Sequence, residues 1–222
     1  MTHAEQSAGT DSSSVHRGWH SRGYLPHCDC PGLLQSITFC LADAVPADLI
    51  AAWKEELDQL ESIAPRTATH LHDLDRDARE AELHERIARY EDTGHGACWL
   101  RDERIATQVE NALLYFDDER YRLLAWCVMP NHVHVLIETV EGHPLGTVVH
   151  SWKSFTALEA NRTLGREGSF WLPDYYDRFI RDEEHLAAVV TYIVGNPVKA
   201  GLVQQPEDWR FSSATRHLEG DA

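Results

Sequence analysis

The chain has 222 residues and a mass of 25.2 kDa, a length for one decorated domain or two small ones that can bury a core without disulfide or metal staples. Apolar residues make up 43% and charged residues 25%, which excludes a wholly disordered or fibrous protein. Thirty-six acids against 20 bases give a formal charge of −16 and a pI near 5.2, a balance that opposes non-specific binding of polyanions.

Residues 1–23 are Ser, Thr, Gly, His and Gln with almost no aliphatic side chains, a composition that predicts a mobile tail. Ile37, Thr38 and Phe39 after Pro31 and Gly32 predict a strand over Leu34 to Leu41. From Pro46, Leu49, Ile50, Trp53, Leu57 and Leu60 recur at helical spacing above a mostly acidic polar face. The stretch from about residue 61 to 100 is thin in apolar residues and dense in charge, and reads as a solvated helical insertion. Asp102 caps a further helix through about Phe116, with Ile105, Val109, Ala112, Leu113 and Phe116 on one face. Tyr121 to Met129 and His132 to Thr139, separated by Pro130 and Asn131, form a hairpin candidate. A helix from about Pro144 to Leu164, a short apolar stretch at Arg178 to Arg181 and a helix from about Asp182 to Asn196 follow, then a tail from 219.

The cysteines, Cys28, Cys30, Cys40, Cys98 and Cys127, are odd in number and scattered. With no secretion signal, a cytoplasmic location is expected. No apolar run reaches the roughly 18 residues of a membrane span. The charge is uneven: residues 44–120 carry −10 of the −16, and residues 121–222 only −4. Most of the acidity is therefore expected to lie away from the chemistry described next.

The sharpest feature is Pro130-Asn131-His132-Val133-His134-Val135-Leu136-Ile137. Side chains of a strand alternate, so His132 and His134 share one face and Val133, Val135 and Ile137 the other. Two imidazoles backed by an apolar face make half of a metal site, or a pair of hydrogen-bonded buried histidines. In the last helix Leu186, Val189, Val190, Ile193 and Val194 make a core-facing stripe, while Tyr192 and Asn196 lie one turn apart on a neighbouring face. An amide oxygen and a phenol so placed could meet a metal held on a strand, the first as ligand and the second as nucleophile. Gly195 weakens this helix by roughly 1 kcal/mol, and Pro197 is expected to end it at Asn196.

The runs AWCVMPNHVHVLIE (Ala125 to Glu138), SWKSFTALEAN (Ser151 to Asn161), FW with YDRFIRDEEH (Phe170 to His185) and YIVGNPVKAGLV (Tyr192 to Val203) resemble the REP-associated tyrosine transposases. These are single-tyrosine transposases named HUH for their His-hydrophobic-His motif. The resemblance extends to YLPHCDCPGLLQSITFCLADAVP (Tyr24 to Pro46) and leaves out the tail and the acidic middle. It implies an α+β fold, ferredoxin-like, with a central antiparallel sheet and helices packed on it, in one domain over about residues 24–218. It also implies a divalent metal on His132, His134 and Asn196, and Tyr192 as the nucleophile that cleaves and rejoins single-stranded DNA beside palindromic hairpins through a 5′-phosphotyrosine. Mg²⁺ prefers oxygen ligands and imidazoles suit Mn²⁺, so either stays open. The covalent link conserves the phosphodiester, so no nucleotide cofactor is expected, and the G-x-x-x-x-G-K-[ST] run is absent. A monomer and a homodimer are both compatible with the resemblance.

Tyr175 and Tyr176 are rival nucleophiles, and His70 with His72 is a second H-x-H without alternating apolar support. His27, Cys28 and Cys30 with His95 or Cys98 are a weak zinc candidate, since C-x-C is not a usual spacing. Lys153, Arg178, Arg181 and Lys199 are candidate phosphate contacts, and Trp152, Trp171, Tyr175 and Tyr176 candidate stacking platforms for unpaired bases. Two other functions stay open: a hairpin-binding protein derived from a transposase without turnover, and a metal-dependent hydrolase that uses water.

Overall fold

The computed structural model describes residues 18–21, 26–63, 82–83 and 85–216. Strands β1 (Gly18–Ser21) and β2 (Pro26–Asp29) form a small antiparallel ladder. Residues 18–21, within the expected tail, pair with β2, and the remainder of that expected tail lies outside the described residues.

The main sheet is antiparallel, in the order β4 (Tyr121–Val128), β5 (His132–Thr139), β3 (Leu34–Cys40), β6 (Tyr176–Phe179). The expected hairpin is present as β4 and β5, joined through the tight Pro130-Asn131 connection. Alternation gives the sheet two buried faces. Val133, Val135 and Ile137 of β5, with Ile37, Phe39, Trp126 and Val128, enter the larger core. Ala125, Cys127, Met129 and Leu136 face the other way, into a smaller cluster with Ile193. Along β4, Trp126 and Val128 thus face one cluster and Ala125 and Cys127 the other, beyond a register shift between Leu123 and Ala125. Each fully buried Val or Ile contributes about 1.5–3 kcal/mol of burial free energy, so a one-residue slip of β5 would be prohibitive.

Helix α1 (Ala47–Ile63) packs Trp53 edge-on to Tyr90 of helix α2 (residues 85–92), ring centroids 6.0 Å apart. Helix α3 (Glu103–Leu114) begins at Asp102, whose side chain accepts from Arg104 N–H as expected of a cap. Helix α4 (Leu145–Leu164) has its first N–H, on Leu145, accepted by the buried Asp29 Oδ1 at 3.0 Å. Along α4, Trp152 donates to Tyr121 Oη at 2.9 Å, and that hydroxyl donates to Leu113 O at 2.7 Å. This joins α3, α4 and β4. Helix α5 (Glu183–Lys199) is capped by Asp182, which accepts from His185 N–H, and lies over the smaller cluster. The chain ends, as described, with a short helix α6 (Ser213–Arg216). No helix of the described residues is long and apolar enough to cross a membrane.

Pro197 does not end α5 at Asn196. The helix continues to Lys199, with Ala200 N–H bonded to Asn196 O and Leu202 N–H to Pro197 O, each at 2.9 Å. Burial of Ile193, Asn196 and Pro197 outweighs the proline's preference and the bond that its missing N–H forfeits.

Candidate metal and nucleophile site

His132 and His134 stand on the face of β5 toward α5, both buried, with their Nε2 atoms 2.9 Å apart. The outer nitrogen of each ring is held. His132 Nδ1 lies 2.8 Å from Asn131 Oδ1. The amide NH₂ of Asn131 donates to Glu91 O at 3.2 Å and His95 O at 3.0 Å, so its oxygen is an acceptor and His132 must donate through Nδ1. That leaves His132 Nε2 as a lone pair pointing at the neighbouring ring. His134 Nδ1 lies 2.9 Å from Thr38 Oγ1 across the β3–β5 ladder, and donation there would turn its Nε2 lone pair to the same point. Burial, with Lys199 adding, pushes His132 down to about 3; burial, then His132, hold His134 well below its ordinary value. Both rings are neutral at neutral pH, the state a metal ligand needs.

Helix α5 brings the other two expected residues to this point. Asn196 is fully buried, with its amide nitrogen 3.0 Å from His134 Nε2 and its oxygen without a hydrogen-bond partner among the described residues. One turn earlier, the Tyr192 ring meets His134 edge-on at 5.3 Å between centroids while remaining 38% exposed. Burial of its hydroxyl end, with Asp92 and Glu91 adding and a bond from Asn196 opposing, pushes Tyr192 up to about 12. The helical turn past Pro197 sets Lys199 Nζ 5.4 Å from the centre of that ring.

The donors suit a metal. Two cis ligands about 2.1 Å from one ion stand about 3 Å apart, as the two Nε2 atoms do. Asn196 Oδ1 is a spare acceptor beside them. A further group comes from the acidic segment: Asp92 of α2 offers a carboxylate oxygen within 4.8 Å of the ligand nitrogens of His132 and His134. The expectation that the acidity lies apart from the chemistry is thus corrected at Asp92. Asn131 and Glu91 were also missed. Glu91 is buried, accepts from Cys40 Sγ, and is pushed up to about 7, chiefly by burial. The 93–98 loop that carries His95 O is clamped on the turn after β3: Asp43 Oδ2 accepts from Ala97 N–H at 2.8 Å, and a Cβ on Gly96 would lie 2.6 Å from Asp43 O.

The other expected contacts lie elsewhere. Lys153 is turned inward, donating to Pro173 O at 2.9 Å and Asp174 O at 3.1 Å, and burial pushes it down to about 8. Its ammonium is used in tying α4 to the 173–174 loop. Arg178 on β6 and Arg181 before α5 are exposed, with no ion pair among the described residues. Trp152, Trp171 and Tyr175 are core side chains, not stacking platforms, because Phe39, Tyr121 and Thr156 already enclose the two indoles. Tyr176 is half-buried on β6. His70 and His72 lie outside the described residues, as do the side chains of His27 and Cys28. Of the weak zinc group, Cys98 is a free thiol that donates to Gly94 O at 3.2 Å.

Residues 99–196 match the family described as "Transposase IS200 like". The matched segment holds His132, His134, Tyr192 and Asn196 and begins after Asp92. A putative REP-associated tyrosine transposase of Haemophilus influenzae is 28% identical over 111 residues, covering 46% of this chain and 63% of the relative. The REP-associated tyrosine transposase of Escherichia coli K12 is 30% identical over 101 residues, covering 46% of this chain and 59% of the relative. The chain therefore spans less than two thirds of the length of either curated relative. A solved REP-associated tyrosine transposase bound to a REP hairpin superposes with a TM-score of 0.51 at 18% identity, over 90% of this chain and 85% of that one. The resemblance and the α+β fold read from the motifs are both borne out.

Proposed function

We propose that this chain, which resembles the REP-associated tyrosine transposases in motifs and fold, is a metal-dependent endonuclease and strand transferase acting on single-stranded DNA beside palindromic hairpins. The observation that carries the reading is the convergence of Tyr192 with His132, His134 and Asn196 at one point between β5 and α5. His132, His134 and Asn196 would hold Mn²⁺ or Mg²⁺, which when bound would polarise a phosphate oxygen and neutralise charge growing at phosphorus.

Tyr192 is the nucleophile. Its oxygen forms a bond to phosphorus, the bond from phosphorus to the 3′ oxygen breaks, and the phenol proton passes through solvent to that oxygen. The products are a 5′-phosphotyrosine and a free 3′-OH. Burial holds the Tyr192 phenol above its ordinary value in the metal-free site, so the bound metal or a nearby base would have to help remove its proton. Asn131 and Thr38 orient the two imidazoles from behind. The exposed Arg178 and Arg181 would contact phosphates, whereas the ammonium of Lys153 is committed to backbone carbonyls and that of Lys199 to Asp92. The convergence of all four site residues within one copy of the chain supports a monomer over a homodimer that shares its sites.

Incubation with Mn²⁺ and a single-stranded oligonucleotide carrying a hairpin from the surrounding genome tests this. An adduct that survives SDS is expected, and Tyr192→Phe should bind the oligonucleotide without forming it. Cleavage without an adduct would mean that water is the nucleophile. Binding without cleavage would mean a hairpin-binding protein.

A further inference from the structure

The pair of Asp92 and Lys199 is not accounted for by the mechanism above. Asp92 ends α2, in the acidic segment before the residues matched by the transposase family. Its Oδ2 accepts from Lys199 Nζ at 2.6 Å, and its side chain is 12% exposed. Its Oδ1 is buried and has no hydrogen-bond partner among the described residues. Buried carboxylate oxygens are rarely left so. This carboxylate also lies within 4.8 Å of the histidine nitrogens, close to the span that ligands about 2.1 Å from one ion occupy.

Charge makes the case stronger. Two imidazoles and one amide bring no negative charge to a buried site, while the Lys199 ammonium stands beside it, 2.6 Å from Asp92 Oδ2. A divalent cation entering among them would lose its hydration and meet a positive neighbour, with nothing anionic in return. Asp92 is the group that reverses this balance, and Lys199 fixes its orientation through the other oxygen.

We infer that Asp92 is a further, anionic ligand of the metal site, positioned by Lys199, so that the acidic segment completes the site that β5 and α5 begin. This rests on the reading of His132, His134 and Asn196 as metal ligands. It gives the site two imidazoles, an amide and a carboxylate, a donor set that suits Mn²⁺ better than imidazoles alone suit Mg²⁺.

The test is Mn²⁺ binding by the full chain without DNA, followed by electron paramagnetic resonance of the free ion. Asp92→Asn keeps the shape and removes the charge; it should weaken Mn²⁺ by about 10- to 100-fold, the range that substitutions behind the ligands already reach. Asp92→Cys, loaded with Co²⁺, should gain the near-ultraviolet thiolate-to-metal absorption that the wild type lacks, which a merely structural Asp92 could not produce and which does not depend on Asp92→Asn folding. His132→Ala serves as the reference and should abolish specific binding. If His132→Ala loses Mn²⁺ while Asp92→Asn binds within about twofold of wild type and Asp92→Cys shows no new band, the role of Asp92 is refuted and the metal site stands. If His132→Ala binds like wild type, the metal site itself is refuted and the role of Asp92 falls with it.

Discussion

Asn131→Ala would remove the residue that ties the histidine pair to the acidic segment. Asn131 is buried and makes three side-chain hydrogen bonds: to Glu91 O at 3.2 Å, to His95 O at 3.0 Å, and from His132 Nδ1 at 2.8 Å. Truncation leaves the His132 Nδ1–H without its acceptor, while Glu91 O keeps the Gly94 N–H at 2.9 Å and His95 O keeps only the Cys98 thiol at 3.7 Å. An unsatisfied buried group costs about 1–3 kcal/mol, and with the weakened His95 carbonyl the loss comes to about 2–4 kcal/mol. That is a large share of the roughly 5–15 kcal/mol that holds a domain folded. Urea unfolding of the metal-free protein measures it directly. The same change frees the His132 ring to rotate and should weaken Mn²⁺ by about 10- to 100-fold. Asn131→Asp separates the two effects: it restores an acceptor to His132 and with it ion binding, but cannot donate to the carbonyls, so part of the stability loss remains. A loss below about 1 kcal/mol in Asn131→Ala, with Mn²⁺ affinity unchanged, would refute this account of how the pair is oriented.

Other consequences follow from the same contacts. The folded pKa of His132, about 3, lies below the ordinary 6.5, so its stabilisation is complete above pH 6.5 and is lost as the pH falls toward 3. Metal-free protein at pH 5.5 should be less stable by about 1.4 kcal/mol from this group alone in urea titrations, and an unchanged midpoint would contradict its burial as a neutral ring. Asp29→Ala removes the acceptor for the first N–H of α4 and should cost about 0.5–2 kcal/mol by the same assay, with DNA binding intact. Lys153→Ala should lower the melting temperature without altering the salt dependence of DNA binding, whereas Arg178→Ala should reduce that slope by about one; equal effects on the slope would return Lys153 to the DNA contacts.

The parts of the site that could be read from the sequence are those set by local periodicity. Alternation along β5 fixes His132 and His134 on one face, and the four-residue spacing on α5 fixes Tyr192 with Asn196; neither needs knowledge of the partner element. The partner's contribution is where the reading stopped. Asp92 sits among many acids, and nothing in its neighbourhood distinguishes it from a solvated carboxylate until α2 is placed against the ends of β3 and β5. Asn131 adjoins His132 in the chain, yet its role depends on carbonyls of Glu91 and His95, contributed by the segment taken for a detached insertion. Trp152 and Trp171 illustrate the opposite error: aromatic side chains suggested base stacking, but both indoles are enclosed, with their N–H groups bonded to Tyr121 and Thr156. Pro197 was overruled because packing of the flanking Ile193 and Asn196 is worth more than a local backbone preference.

The same uneven charge now has a location and a use. Residues 44–120 hold most of the surplus, and one of its members, Asp92, stands at the site itself. The most direct test of the central claim is mass spectrometry of peptides from the protein–DNA adduct formed with Mn²⁺ and a hairpin oligonucleotide. The expected result is a nucleotide joined through its 5′-phosphate to Tyr192. Attachment to Tyr175 or Tyr176, or cleaved DNA bearing a free 5′-phosphate with no linked peptide, would contradict it.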